Sequence, residues 1–269
     1  MIDECLYLKN REVKLLVKKN ESFVFYATFI AGEYNRLKIV PGDTVIDFGA
    51  NIGDFTVKAG KTLKDKGRLI ALEPNHKNIT ILKRNIEINN IKNVEIFEYA
   101  VTDKDGYSYL KGDDVAAEVS EENVKGDIVK TISVESLMDK LGLPDKFKVK
   151  MDIEGAEKFF FKNEKFVNSI EEIALEIHGM ENINNIKKIL RNKEFVVTEF
   201  NSKMQFKNTL KSMLLDPINF IVCEKKSGFI ASKGAFRTLL GKNPIPSVNN
   251  KELIVIHAGK ELTQDNNAV

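Results

Sequence analysis

Two short segments of the chain combine glycine, asparagine and carboxylate side chains in a spacing that suits nucleotide binding. The first is 47–53, where an apolar stretch ends in Asp47 and the backbone then turns through two glycines. The second is Glu73, which ends another apolar stretch and is followed by Pro74 and Asn75. Glycine lets the backbone approach a ligand closely, and a carboxylate at a strand end can accept both hydroxyl protons of a ribose. The spacing therefore predicts a strand, a glycine turn, a helix and a second strand around a nucleotide.

The turn itself excludes two common kinds of nucleotide site. Its sequence, Gly49-Ala50-Asn51-Ile52-Gly53, lacks the third glycine of the dinucleotide fingerprint and the Gly-Lys-Ser/Thr end of a phosphate-binding loop. S-adenosylmethionine is favoured instead, because its ribose suits Glu73 and its amino-acid end suits the donor and acceptor groups of Asn51. A tight structural turn without a ligand is the alternative. The predicted cofactor contacts here are Asp47, Gly49, Ala50, Asn51, Gly53, Glu73, Pro74 and Asn75.

A third segment, 150–157, places several carboxylates at the end of a predicted strand. Asp152 can attract the cationic sulfonium, hold the amino group of the cofactor or bind a metal. Glu157 has the position of an acid at a helix N-terminus, which is ordinarily a favourable structural role. His178 ends the next predicted strand and suits a general base, with a structural histidine as the alternative. The predicted catalytic residues are His178, Asp152 and Glu154, and Asp152 is also a predicted cofactor contact.

The elements that must position these residues alternate along the chain. Helical spacing of apolar residues predicts helices between five predicted strands, which are 44–48, 68–72, 94–97, 147–151 and 172–177. Such alternation predicts an α/β fold with a mostly parallel sheet, in which ligands bind at the carboxyl ends of the strands. Four candidate residues fall at those ends: Asp47, Glu73, Asp152 and His178. Two later apolar runs, 195–200 and 220–224, have no long helix between them and predict an antiparallel edge.

This pattern divides the chain into three parts. Residues 1–43 are predicted to form a helical or mixed cap segment, which ends at the turn signal Pro41-Gly42-Asp43. Residues 44–224 form the nucleotide-binding domain. Residues 225–269 form an extension punctuated by glycine and proline, in which 252–257 can be one more strand. The extension either covers the acceptor pocket or joins two subunits, so the sequence leaves open whether the protein forms a homo-oligomer.

The bulk composition narrows the classes of partner and compartment. The 269 residues carry 41 Lys and Arg against 39 Asp and Glu, a formal net charge of +2, without the basic excess of a duplex-binding protein. No uninterrupted apolar segment approaches the length of about 18 residues that a membrane span needs. Cys5 and Cys223 lie far apart and suit a reducing compartment better than a disulfide framework. We therefore expect a cytoplasmic protein without a membrane span that does not bind DNA.

Four motifs, in this order, resemble those of FkbM-type methyltransferases. Their sequences are Asp-Phe-Gly-Ala-Asn-Ile-Gly, Ala-Leu-Glu-Pro-Asn, Ala-Val-Thr-Asp-Lys-Asp-Gly and Lys-Met-Asp-Ile-Glu-Gly-Ala-Glu, at 47–53, 71–75, 100–106 and 150–157. The resemblance covers roughly 29–178, and its last motif is the specific one. It implies a doubly wound, seven-stranded class I methyltransferase fold that is Rossmann-like, and methyl transfer from S-adenosylmethionine, usually to a hydroxyl oxygen. It also implies Val101 as a cofactor contact. Family members are known or supposed to act on polyketides, sugars and glycolipids, so we expect a small-molecule or carbohydrate acceptor.

Two other functions stay open on the sequence. The same fold carries RNA and protein methyltransferases. Against these, 152–155 stands after the fourth strand in place of an Asn-Pro-Pro-aromatic motif, and an acidic mouth repels a polyanion. RNA is therefore not expected as the acceptor. A non-catalytic nucleotide-binding module is the second alternative, because a fold alone does not establish activity.

A divalent metal is a further open point. Asp152, Glu154 and Glu157 offer the hard oxygen ligands that magnesium prefers. Carboxylates next to a sulfonium serve equally well without a metal. No residue is therefore assigned as a metal ligand.

Overall fold

The computed structural model describes residues 5–111, 118–120, 126–228 and 253–260. The N-terminal part consists, in chain order, of β1 (Cys5–Lys9), β2 (Lys14–Lys18), a 3₁₀ turn (Lys19–Glu21), α1 (Phe23–Phe25) and a π-helical segment (Tyr26–Ala31). The two strands pair in antiparallel fashion, and the helical segment ends at Gly32 in a left-handed conformation. The predicted cap segment thus contains both strand and helix.

The first half of the central fold follows the predicted alternation. Its elements are β3 (Thr44–Phe48), α2 (Asp54–Leu63), β4 (Arg68–Leu72), α3 (His76–Ile88) and β5 (Val94–Phe97). The side chains of 45–48 and 69–72 are buried, as expected for parallel strands covered on both faces. Helix α3 begins after Asn75, whose Oδ1 accepts a hydrogen bond from the backbone N–H of Lys77.

A small separate sheet follows β5. Its strands are β6 (Ala100–Thr102), β7 (Gly106–Lys111), β8 (Glu118–Ser120) and β9 (Asp127–Ser133), in the spatial order β6-β9-β7-β8. Strand β6 starts close behind the end of β5, so this sheet reaches the carboxyl edge of the central one. Its residues Ala100, Val101 and Leu110 line the cavity described below.

The second half returns to helix and strand alternation. Its elements are α4 (Val134–Leu141), β10 (Phe147–Met151), α5 (Glu157–Lys162), α6 (Glu164–Ser169), β11 (Ile170–His178), α7 (Met180–Asn192) and β12 (Phe195–Glu199). Four phenylalanine rings pack between β3, β10, α5 and α6. The ring centroids of Phe48 and Phe160 are 4.5 Å apart, and those of Phe160 and Phe166 are 4.8 Å apart. This packing holds the segment between β10 and α5 that carries Asp152 and Glu154.

The described chain ends with α8 (Ser202–Leu215), α9 (Pro217–Lys226) and β13 (Leu253–Lys260). Strand β13 lies between β11 and β12 and is antiparallel to both, and the central sheet has the order β12-β13-β11-β10-β3-β4-β5. The predicted mostly parallel, seven-stranded sheet with an antiparallel edge hairpin is confirmed. Because β13 falls within 225–269, part of the predicted extension contributes a strand to the sheet of the 44–224 domain.

One predicted strand is wrong. The run 220–224 lies within helix α9, and the strand that pairs with β12 is β13. Pro217 occupies the first turn of α9, where its missing N–H and fixed φ favour a helix start. A short apolar run does not by itself distinguish a strand from a helix. None of the helices in the described parts of the chain combines the length and apolar content that a bilayer crossing needs.

Candidate active site

The glycine turn after β3 is held against the ends of two neighbouring strands. The backbone N–H groups of Gly49 and Ala50 both donate to the carbonyl of Leu72, at 3.0 and 2.8 Å. Gly49 has φ +71°, and a Cβ built on it would lie 1.8 Å from the carbonyl oxygen of Asp152. Only glycine fits there, because the backbone after β10 passes directly over the turn. Asn51 also has positive φ, at +47°.

Asp47 lies beneath this turn. Its carboxylate is fully buried, accepts a hydrogen bond of 2.6 Å from the hydroxyl of Thr56 and lies 3.2 Å from Nζ of Lys150. Lys150 Nζ also donates to the carbonyl of Gly49 at 2.7 Å. Burial lowers the pKa of Lys150, but neighbouring carboxylates, first that of Asp47, raise it above the ordinary value. The Asp47–Lys150 pair therefore fixes the turn from below, and Asp47 is not among the residues that line the cavity.

Glu73 connects the turn to the loop that follows β4. One carboxylate oxygen accepts from the N–H of Asn51 at 2.8 Å, and the other accepts from the N–H of Asn75 at 2.9 Å. Burial raises the pKa of Glu73 above its ordinary value, although the hydrogen bonds from the backbone of Asn75 and Asn51 partly oppose this rise. The side chain is thus held rigidly at the cavity wall by two backbone donors, with lone pairs left for ribose hydroxyls.

A cavity lies above these residues at the carboxyl edge of the sheet. Among the predicted site residues, its lining includes Gly49, Asn51, Glu73, Pro74, Val101, Asp152 and Glu154. Predicted residues outside the lining are Asp47, Ala50, Gly53, Asn75 and His178. Within the described chain, Asn51 Oδ1 and Asn75 Nδ2 are buried without a hydrogen-bond partner. Buried polar atoms without partners are costly, so Asn51, which lines the cavity, suits contact with a polar ligand such as S-adenosylmethionine.

A cluster of carboxylates surrounds His178 next to this cavity. His178 Nδ1 lies 3.0 Å from Oε1 of the fully buried Glu157, and Nε2 lies 3.2 Å from Glu154 and 3.6 Å from Glu176. Strands β10 and β11 are parallel neighbours, so their ends bring Asp152 and His178 to the same edge. Sequence position predicted this meeting, but it did not indicate Glu157 or Glu176 as partners of the histidine.

Charge and burial shift the pKa values in this cluster. Burial lowers the pKa of His178, but the hydrogen bond to Glu157 and the charges of Glu154, Glu157 and Asp152 raise it above its usual value. Burial raises the pKa of Glu154 to about 7, against the lowering effect of His178. The pKa of Asp152 is raised by burial, although Lys150 and His178 act to lower it. Burial thus favours the neutral form of Asp152 and Glu154, while the neighbouring carboxylates favour the protonated form of His178.

Two further carboxylates that sequence reasoning missed are Glu33 in the N-terminal segment and Asp54 at the start of α2. Burial raises the pKa of Glu33 to about 7 and that of Asp54 to about 6, and in each case further carboxylates add to the rise. Thr28 Oγ1 donates a hydrogen bond to Asp54. The sequence signal for Asp54 was its place directly after Gly53, whereas Glu33 lies outside every motif. Lys150 could have been found, because a lysine within a buried strand requires a partner.

Three of these side chains also have the arrangement of a cation site. Asp152, Glu154 and His178 each place one ligand atom within 4.8 Å of the others. Because Glu157 contacts Nδ1 of His178, Nε2 is the nitrogen that could bind a metal ion. Carboxylates orient metal-binding histidines in this way. The residues could therefore hold a divalent cation, and Nε2 could instead accept a proton.

The fold and site together define a class I, Rossmann-like methyltransferase, with a cavity at the carboxyl edge of the sheet, where ligands of such folds bind. A family model for the methyltransferase FkbM domain matches residues 47–203, more than half of the chain. The chain belongs to the FkbM methyltransferase family. Membership supports S-adenosylmethionine-dependent methyl transfer, and with it cofactor binding, as the activity.

Solved structures with a similar fold have low sequence identity to this chain. Precorrin-6y C5,15-methyltransferase from Geobacter metallireducens GS-15 has 14% identity and a TM-score of 0.43, over 74% of this chain and 82% of that one. M. jannaschii TYW2, in complex with AdoMet, has 13% identity and a TM-score of 0.47, over 95% and 85%. A putative rRNA methylase from Clostridium thermocellum has 12% identity and a TM-score of 0.44, over 85% and 92%. No curated protein matches the chain.

Proposed function

We propose that the protein transfers the methyl group of S-adenosylmethionine to a hydroxyl oxygen of a small molecule, sugar or glycolipid. The observation that carries this proposal is the pair of His178 and Glu157 beside Asp152, at the edge where the cofactor cavity lies. An alcohol is a weak nucleophile until its proton is removed, and a histidine held by a buried carboxylate suits that step.

Cofactor binding is proposed to use the walls of the cavity. Glu73 accepts hydrogen bonds from the ribose hydroxyls, and the turn at 49–53 packs against the ribose and the amino-acid end. Asn51 Oδ1, buried without a partner among the described residues, accepts from the amino group. Asp152 also lines the cavity, and its carboxylate favours the cationic sulfonium. Asp47 contributes indirectly through Lys150, because its carboxylate is enclosed below the turn.

Proton removal is proposed to use Nε2 of His178. A carboxylate at Glu157 can only accept hydrogen bonds, so Nδ1 carries the proton in the 3.0 Å contact. Nε2 is then the nitrogen that accepts a proton, once the acceptor hydroxyl replaces Glu154 in its 3.2 Å contact. The cofactor supplies the electrophile: the acceptor oxygen bonds to the methyl carbon as the carbon–sulfur bond breaks and its electrons stay on sulfur. Nε2 takes the hydroxyl proton, and Glu157 and Glu154 stabilise the resulting imidazolium.

An RNA acceptor fits this edge poorly. Asp152 and Glu154 line the cavity, and Glu33, Asp54 and Glu176 lie near them. Because the pKa values of these carboxyls are raised, their combined negative charge grows as pH rises through neutrality. A phosphate backbone would be repelled by this field. Nucleic acid that co-purifies with the protein, or a salt-dependent mobility shift with RNA, would favour RNA over a small molecule, sugar or glycolipid as the methyl acceptor.

The decisive test is transfer of a labelled methyl group from S-adenosylmethionine into fractionated cell extract. We expect label in a small-molecule or lipid fraction, in a form stable to base, as an ether is. No transfer into any fraction, with cofactor binding intact, would instead support a non-catalytic binding module.

The cofactor site has its own prediction. Glu73→Ala should weaken S-adenosylmethionine binding, expected in the micromolar range, by at least about tenfold, since hydrogen bonds to a charged group contribute about 1.5–3 kcal/mol each. Isothermal titration calorimetry measures the change. Glu95→Ala is the matched control, because its exposed carboxylate pairs with Arg68 on β4 away from the cavity and the change should leave binding unchanged. Wild-type protein that binds no cofactor at millimolar concentration would contradict the proposal.

The proposed base has a separate prediction. His178→Ala should keep cofactor binding, because His178 lies outside the cavity lining, and should lower turnover by about 10²-fold or more. Turnover is measured with the acceptor fraction identified by labelling. Wild-type turnover should survive treatment with a chelator. Loss of turnover that magnesium restores would make His178 a metal ligand with Asp152 and Glu154 rather than the base.

A further inference from the structure

Helix α8 buries polar side chains, which is the reverse of an ordinary surface helix. Gln205 Nε2 donates to Oη of Tyr26 at 2.9 Å, and Asn208 Nδ2 donates to the carbonyl of Ala31 at 2.8 Å. Thr209 is also buried, with its hydroxyl 3.3 Å from Oη of Tyr26. The inward face of α8 is therefore attached to the N-terminal helical segment by hydrogen bonds, and its apolar residues are left for the outward face.

Several large apolar side chains are exposed on the outward sides of α8 and α9. Leu214 and Leu215 at the end of α8 are 69% and 53% exposed, and Ile218 and Ile221 on α9 are 75% and 64% exposed. Ile218, Ile221 and Val222 share one side of α9, since their spacing is three and four residues. The inward residues of α9 include Cys223 and the charged Glu224, both buried. Exposed apolar side chains grouped at the junction of two helices favour an interaction surface.

Exposed lysines flank this apolar surface at both ends. Lys203, Lys207 and Lys211 follow each other at four-residue spacing along α8, and Lys225 and Lys226 end α9. Residues 202–226 are all described, and their two acids are turned away from solvent. The side chain of Asp216 is 17% exposed and accepts hydrogen bonds from Asn219, and Glu224 is 4% exposed. The outward surface of the two helices thus combines apolar and cationic side chains.

We propose that α8 and α9 form a docking surface for an anionic lipid bilayer. In this arrangement the leucine and isoleucine side chains enter the headgroup and acyl boundary, and the lysines contact lipid phosphates. The charges decide between occupants. A second copy of the chain would present the same lysines across a two-fold contact, so like charges would face each other. Anionic headgroups, in contrast, complement the lysines of both α8 and α9.

The test is sedimentation of the full-length protein with lipid vesicles. We expect the wild type to bind vesicles that contain phosphatidylglycerol, to bind pure phosphatidylcholine weakly, and to lose binding as salt is raised. Leu214→Glu/Ile218→Glu should weaken binding by at least about tenfold, because charge replaces apolar area at the surface. Ile128→Glu is the matched control, since Ile128 is 66% exposed on the small sheet and should leave binding unchanged.

A second variant and a mass measurement make the outcomes separable. Lys203→Glu/Lys207→Glu changes only exposed lysines of α8 and should remove the preference for phosphatidylglycerol while circular dichroism and thermal unfolding stay as in the wild type. Equal binding by wild type and Leu214→Glu/Ile218→Glu would overturn the proposal. A wild type that does not bind anionic vesicles would also overturn it. If light scattering then shows that this wild type is a dimer, and that Leu214→Glu/Ile218→Glu is a monomer, the apolar surface is a contact between two copies of the chain instead. None of these readouts requires methyl transfer.

Discussion

Glu157 has two effects on His178, since it sets both the orientation and the charge of the imidazole. Its Oε1 lies 3.0 Å from Nδ1 of His178 and also accepts a hydrogen bond of 3.1 Å from the N–H of Gly155. Burial alone would lower the pKa of His178, and the contact with Glu157 is the first of the effects that reverse this. Glu157 is therefore a positioning residue for the proposed base.

Glu157→Gln tests this role through pH dependence. Glutamine can still accept from Nδ1 but carries no charge, so the pKa of His178 should fall. A base must be neutral to act, so the acid limb of the kcat/KM profile should move to lower pH, while the maximum falls because the imidazolium loses its stabilising charge. Glu181→Gln is the control, because Glu181 is exposed at the start of α7. An acid limb that does not move would show that His178 is not the titrating group.

Which of the predicted site residues line the cavity was only partly predictable from sequence. The motif indicated Asp47 and Glu73 alike, because position at a strand end is all that the pattern contains. The structure separates them: Asp47 pairs with Lys150 below the turn, while Glu73 lies in the cavity wall. That separation depends on Lys150, which comes from β10, about a hundred residues later in the chain. Local pattern does not report such long-range pairs.

At the level of elements, the turn between β3 and α2 requires glycine for two separate reasons. Gly49 has positive φ, which costs a residue with a side chain about 1–2 kcal/mol. A Cβ at Gly49 would also overlap the carbonyl of Asp152, and this backbone cannot yield without moving the end of β10. Gly142, after α4, shares the positive φ of +52° but has no atom within 4 Å of a built Cβ among the described residues. A side chain at Gly142 would therefore meet only backbone strain, whereas a side chain at Gly49 would meet both backbone strain and steric overlap.

Gly49→Ala and Gly142→Ala form a matched pair of variants. Gly142→Ala should lower the free energy of unfolding by about 1–2 kcal/mol, the cost of left-handed strain alone, and leave cofactor binding intact. Gly49→Ala should cost more than that and should weaken S-adenosylmethionine binding, because the turn or Asp152 must shift. Urea unfolding and calorimetry measure the two effects. Equal losses of stability for both variants would mean that β10 yields freely.

The elements were largely predictable where periodicity was long, and not where runs were short. The strand at 44–48 is followed by the amphipathic helix α2, the strand at 147–151 follows the amphipathic helix α4, and each strand is buried on both faces. The run 220–224 is β-branched and apolar but belongs to α9, where Ile218, Ile221 and Val222 form an outward stripe rather than a core. An exposed apolar helix face violates the pattern that sequence reasoning relies on, and for that reason a strand was predicted.

On the scale of the whole molecule, the N-terminal segment and the sheet edge together enclose an excess of carboxylates. Glu33 comes from the cap segment, Asp54 from α2 and Glu154 from the loop after β10, and burial raises the pKa of Glu33 and Glu154 to about 7 and that of Asp54 to about 6. Lys58 and Lys150 offset only part of this charge. Motif reasoning within 44–178 could not reveal the excess, because it arises only when 1–43 folds over the site.

The pH dependence of stability should report this excess. Carboxyls with raised pKa values bind more protons in the folded than in the unfolded chain between about pH 4 and 7, so the free energy of unfolding should fall as pH rises through that window. Glu33→Gln removes one such group. Its melting temperature should be higher than that of the wild type at pH 8, and this difference should be smaller at pH 4.5. Glu199→Gln, at an exposed position, should leave the difference near zero. Thermal unfolding of the three proteins across this range measures it. A Glu33→Gln variant less stable than the wild type at pH 8 would mean that Lys58 and Lys150 already compensate the charge of Glu33.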